Sequence, residues 1–130
     1  AKRTPLMVAA VGGHAAVVQA LVDAGAALDA QAVGGQTALM LADVVGALHI
    51  VDFLLSARAD PNVRGAGGYT ALHFAAAACR VASMERLLLH HASAGIRGNN
   101  GKTPRTVAQD AGCGDGVRML ASPGHLALGT

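Results

Sequence analysis

An all-α solenoid of four stacked helix-turn-helix units, joined by hairpin loops, is the fold class this sequence predicts, and three observations predict it. Thr4, Thr37, Thr70 and Thr103 recur every 33 residues, and each opens a similar phrase: TPLMVAAVGG, TALMLADVVG, TALHFAAAAC and TPRTVAQDAG. Apolar residues follow at a common offset, as Val17 and Val18 with Leu21 and Val22, Ile50 and Val51 with Leu54 and Leu55, and Met84 with Leu87 and Leu88. That spacing of three and four keeps side chains on one face of a helix. Before the next threonine come the stretches AQAVGGQ, VRGAGGY and IRGNNGK, whose glycines and polar residues carry turn chemistry. No unit this short buries its own apolar face, so the units must stack.

The units run over about 1–36, 37–69, 70–102 and 103–121, with an irregular tail over 122–130. In each, the threonine caps the first helix, and Pro5 and Pro104 take the first helical position, where a missing N–H costs nothing. Gly13, Gly46 and Gly112 end the first helices, and Ala9, Ala10, Ala75 and Ala76 leave little bulk, so neighbouring units approach closely. Second helices are expected over 15–24, 47–57 and 81–90, with Gly25 as a left-handed terminus. Arg58 and His91 occupy the same position, so these residues either accept a positive φ or end their helices differently. In the fourth unit Arg105 stands where the others have Leu6, Leu39 and Leu72, and Gly116 replaces Val17, Ile50 and Ser83; it reads as a polar C-terminal cap. The first unit carries Met7, Val8, Val11, Val17 and Val18 with little polar dressing, and the expectation is that further repeats precede residue 1.

Composition narrows the function. With 52% hydrophobic and 14% charged residues, the 130-residue chain has the apolar surface to fold as one domain or one short repeat array. A net charge of +2 is too small for a protein that tracks nucleic-acid phosphates. Residues 4–22 carry no formal charge, near the ~20 residues that span a bilayer, but Gly12, Gly13 and His14 break the run and membrane insertion is not expected. Adjacent His90 and His91 point about 100° apart on a helix, unlike the four-residue spacing of a helical zinc pair. The glycine pairs 34–35 and 67–68 lack the following helix-borne lysine of a phosphate cradle. No catalytic motif, metal site or cofactor is expected. Cys79 and Cys113 fall late in the first-helix phrases of adjacent units. Stacked helices ~8–10 Å apart exceed the usual Cα reach of a disulfide, so two free thiols are the expectation, in keeping with a reducing compartment.

The phrases TPLMVAA with Gly13-His14, TALHFAA, IVDFLL at 50–55 and ADPN at 59–62 closely resemble those of the ankyrin repeat family, across residues 1 to about 121. The resemblance implies an L-shaped stack whose hairpin tips and first helices form a concave face that binds a partner protein or peptide. It makes His73 a structural hydrogen-bonding residue. Carried onto this chain, the partner-facing positions are Val33, Gln36, Val44, Val45, Arg64, Tyr69, Arg97, Asn99, Asn100 and Lys102. Arg64, Arg97 and Lys102 are unmatched by any acid in the tip segments 31–36, 64–69 and 97–102, a basic rim that either keeps an apolar protein soluble or meets an acidic partner. Tyr69, the only tyrosine, is a candidate anchor for that partner or a ring packed on its own hairpin. The resemblance further implies a non-enzymatic, monomeric domain of intracellular proteins, cytoplasmic or nuclear. Two other readings follow from it: Asn62 as a site of asparagine hydroxylation, and the repeats as the regulatory region of a larger enzyme, channel or transcription regulator.

Overall fold

A helix leaves its first N–H groups without intrahelical partners, and the recurring threonines satisfy them. The hydroxyls of Thr4, Thr37 and Thr103 accept from the backbone N–H of Met7 (3.2 Å), Met40 (3.2 Å) and Thr106 (3.3 Å). Eight α-helices result in this computed structural model, which describes residues 2–121; the tail expected over 122–130 lies outside the described residues. They are α1 (Pro5–Val11), α2 (Ala15–Asp23), α3 (Ala38–Val45), α4 (Leu48–Ser56), α5 (Ala71–Ala77), α6 (Val81–Leu89), α7 (Pro104–Asp110) and α8 (Gly114–Leu120), with a 3₁₀ turn at Ala66–Gly68. The odd-numbered helices pack side by side as one layer, and the even-numbered helices form a second layer behind them.

The core lies between the layers. Leu6, Leu39 and Leu72 are buried at one repeat position, joined by Val18, Ile50, Leu54, Met84 and Leu87 from the second layer. Ala9, Ala10, Ala42, Ala75, Ala76 and Ala108 are buried between first helices, and their small volumes set the close approach that the sequence predicts. Arg105 is exposed, but Gly116 is a packing position. A Cβ there would come within 3.0 Å of Cys113 Sγ and 3.2 Å of Met84 Cε, so glycine makes room for the Met84 side chain of the preceding unit. Among the described residues no helix is long and apolar enough to cross a membrane.

Both helix ends of the repeat use left-handed backbone. Gly13, Gly46 and Gly112 turn the chain between helices at φ of 72°, 75° and 71°, and Gly25 ends α2 at 90°. Arg58 (76°) and His91 (71°) accept the same conformation, so α2, α4 and α6 end alike. The N–H of Ala26, Ala59 and Ala92 returns to the carbonyl of Leu21, Leu54 and Leu87 respectively, the six-to-one closure of a Schellman ending. These helices stop at Asp23, Ser56 and Leu89, one residue short of expectation, because the next residue is already the cap. A side chain in this conformation carries a steric cost that glycine avoids. Arg58→Gly and His91→Gly should therefore each stabilise the fold by up to ~1 kcal/mol, net of the extra unfolded-state entropy of glycine. Chemical denaturation midpoints measure it, and a midpoint lowered in both variants would contradict the steric argument.

The expectation of two free thiols is overturned. Cys79 and Cys113 are joined in a disulfide, their Cα atoms 5.5 Å apart. The helix-axis spacing was the wrong yardstick, because neither residue lies inside a helix. Cys79 occupies the inter-helix turn that holds glycine in the other units, at φ 55°, and Cys113 is the N-cap of α8. The turns of neighbouring units meet closely enough to bond.

Candidate binding face

The three hairpin loops close alike: Ala32 donates to Gln36 (2.9 Å), Gly65 to Tyr69 (2.8 Å) and Gly98 to Lys102 (2.8 Å), backbone to backbone. Successive loops touch through their glycines. A Cβ on Gly35 would fall 2.9 Å from Gly65 Cα, and one on Gly98 would fall 2.3 Å from Tyr69 Cε1. A side-chain ladder runs over the tips at the 33-residue period. Gln31 Nε2 donates to the carbonyl of Arg64 (2.9 Å), Arg64 Nη2 donates to the carbonyl of Arg97 (2.7 Å), and Arg97 Nη1 donates to Gly101 O (2.9 Å). Sequence reasoning missed this ladder, although the period that placed the tips also aligns positions 31, 64 and 97.

The candidate residues divide into two groups. Val33 at the first tip is 75% exposed, and Val44 and Val45, ending α3, are 44% and 45% exposed; Arg64, Arg97, Asn99 and Asn100 are exposed as well. Gln36, Tyr69 and Lys102 are half-buried. The Tyr69 ring stacks on His73 at 4.5 Å with planes 6° apart, meets Phe74 edge-on at 5.9 Å, and its hydroxyl accepts from Asn100 Nδ2 at 2.9 Å. The ring thus bridges its own unit and the next hairpin. Lys102 is not unmatched: its Nζ lies 2.5 Å from Asp110 Oδ2 on α7, and this bond and charge raise its pKa. The acid comes from the following helix, outside the tip segment considered in the sequence. Among the described residues Arg64 and Arg97 have no carboxylate partner.

Beneath the tips, His73 takes the structural place that the resemblance implies. Its Nδ1 accepts from the Thr70 N–H (3.1 Å) and its Nε2 lies 2.9 Å from the Lys102 carbonyl. That pairing assigns the proton to Nε2 and ties α5 to the next hairpin. Burial lowers the His73 pKa, against a smaller opposing effect of the bond to Lys102. Asn62 is tied at both ends, its Oδ1 accepting from the Ser93 N–H (2.8 Å) and its Nδ2 donating to the His91 carbonyl (3.2 Å). The residue itself is half-buried.

One group on α3 was not foreseen. Asp43, just before Val44, is 0% exposed, and neither carboxylate oxygen has a hydrogen-bond partner. Burial pushes its pKa up to about 8, opposed in smaller measure by the nearby Ser83 side chain and the Arg80 charge. The Arg80 guanidinium itself donates to the Val44 carbonyl (3.2 Å) at the end of α3.

Tandem helix pairs with a ladder of loops along one edge define a helical-repeat scaffold, in which loops and first helices offer a continuous surface. The chain belongs to the ankyrin repeat family: the family's model, described as Ankyrin repeats (3 copies), matches residues 1–65 and again 45–127. Such repeats are generally protein–protein interaction modules and typically have no enzymatic activity. No curated protein matches the chain.

Proposed function

We propose that this chain is a non-enzymatic module that seats a peptide segment of a partner protein on the face formed by the hairpin tips and first helices, and that the segment pairs apolar side chains with acidic ones. The observation that carries the reading is that the tips and the end of α3 expose Val33, Val44 and Val45 as well as Arg64 and Arg97, cations without a carboxylate partner among the described residues. On the second layer Asp52 of α4 pairs with Arg86 of α6 (2.9 Å). A prestacked scaffold spares the surface most of its ordering cost, and uncompensated cations speed encounter with an acidic segment. Asn99 and Asn100 supply polar contacts at the last tip. The compartment that suits this reading is intracellular, cytoplasmic or nuclear.

The test is a displayed library of random dodecapeptides followed by binding kinetics on the selected sequences. Selected peptides should be enriched in Asp and Glu beside aliphatic residues. Arg97→Ala should lower their on-rate by about tenfold at low salt and flatten its salt dependence, while Val33→Ser and Val44→Ser should raise the off-rate. Selection without acidic enrichment, or binding indifferent to all three substitutions with circular dichroism unchanged, would place the interface elsewhere.

A further inference from the structure

The turn between first and second helices is a glycine turn in units one, two and four, and a cysteine turn in unit three. A non-glycine residue at positive φ is held there by its surroundings rather than by preference. At this turn the surroundings include the bond to Cys113. What that bond reaches is, among the described α-helices, the one that contains glycine. α8 is seven residues long and contains Gly114 and Gly116, and glycine is the poorest helix former after proline. Its N-cap offers no side-chain hydrogen bond. Besides the bridge, α8 is kept in place by packing, with Gly116 over Met84 and Leu120 buried. The two sulfurs also differ in access: Cys79 is exposed and Cys113 is buried to 2%.

We propose that the Cys79–Cys113 disulfide is a thiol-responsive clamp on the last repeat, which pins α8 when oxidised and releases it when a dithiol reductant opens the bond. The reductant's thiolate attacks Sγ of exposed Cys79, forming a mixed disulfide, and the bond to Cys113 Sγ breaks. Cys113 leaves with the electron pair and takes a proton from solvent. The second thiol of the reductant then displaces Cys79 and closes the reductant's own disulfide, so two electrons pass to the protein and two thiols result. With Cys79 freed, its turn no longer holds the start of α8, and fraying of α8 uncovers Met84 on α6 while the first three units keep their stack. The device is independent of what the concave face binds.

The test uses the whole chain, oxidised and then treated with dithiothreitol, followed by amide hydrogen exchange and maleimide labelling. The oxidised protein should label at neither cysteine, and the reduced protein at both. On reduction the amides of 114–120 should exchange about tenfold faster or more, while those of α1 to α6 change little. The double variant Cys79→Gly/Cys113→Ala, which restores the glycine turn of the other units and the alanine that unit two has at position 47, should show fast α8 exchange with no response to dithiothreitol. Labelling before reduction would show the bond absent and overturn the proposal. So would α8 exchange indifferent to reduction, or a rate increase spread evenly over all eight helices, which would make the bridge a global staple.

Discussion

Replacing Asp43 by Ala should stabilise the protein at pH 8 by several kcal/mol and remove a decline in stability that the parent chain shows as pH rises. A carboxyl that is fully shielded and has no hydrogen-bond partner is held protonated by the fold, with its pKa raised from 3.8 to about 8. The unfolded chain ionises near 3.8. Between those values the unfolded state binds fewer protons, so stability is fully present below about 4, falls by ~1.4 kcal/mol per pH unit, and levels off above about 8. His73 acts in the opposite sense. Its depressed folded pKa makes stability fall as pH drops through the ordinary 6.5, and its slope fades within about one pH unit above that. A decline with rising pH between 6.5 and 8 therefore belongs to Asp43, since the residual His73 effect there has the opposite sign. Alanine is the substitution of choice because the first and third units already bury Ala10 and Ala76 at this repeat position. Asp43→Asn should flatten the same slope with a smaller gain, since its amide also lacks partners. Urea unfolding at pH 6.5, 7.2 and 8.0 gives the slope, and a parent chain with flat stability across that range would sink the argument.

The repeat was legible because it is written in residues whose role is local. A threonine caps its own helix, a glycine turns its own chain, and an apolar pair marks its own face, so a period of 33 read along the chain places every element in order. Departures from the period carried the remaining information and were harder to weigh. Asp43 stands where the units on either side have Ala10 and Ala76, and Cys79 interrupts a column of turn glycines. Each was visible as an exception, yet its meaning depends on what the neighbouring repeat brings against it: for Asp43 only the weak opposition of Ser83 and Arg80 to its burial, and for Cys79 a bond to Cys113 from a position one residue further along its own unit. The tips were legible in position but not in allegiance. A cation at 64 or 97 looks free in sequence, whereas its guanidinium also hydrogen-bonds a backbone carbonyl, Arg64 that of the next hairpin and Arg97 one within its own. Lys102 finds its acid eight residues on, across a helix start. Contacts between repeats follow the superhelical stacking, which fixes distances that no single-unit pattern encodes.

Tyr69→Ala should lower the stability of the fold by about 2 kcal/mol, a cost carried by the joint between units rather than by any bound partner. The ring is half-buried, stacked at 4.5 Å on His73, edge-on to Phe74, and pressed against Gly98 of the next hairpin so closely that a Cβ there would lie 2.3 Å from Cε1. Removing it strips the cover from His73, whose two ring nitrogens fasten Thr70 and the Lys102 carbonyl. Water reaching that imidazole weakens both bonds and lifts the burial that depresses its pKa, so the variant should also lose part of the His73 pH dependence below 6.5. Tyr69→Phe keeps the stack and gives up only the hydrogen bond from Asn100, a loss of ~1 kcal/mol or less. Gly98→Ala attacks the same contact from the other side and should destabilise, because the ring cannot move without breaking its stack on His73. Equilibrium unfolding of the three variants orders them. A Tyr69→Ala midpoint equal to that of the parent chain would show the ring to be energetically free, and would return it to the binding face as an anchor for the partner segment.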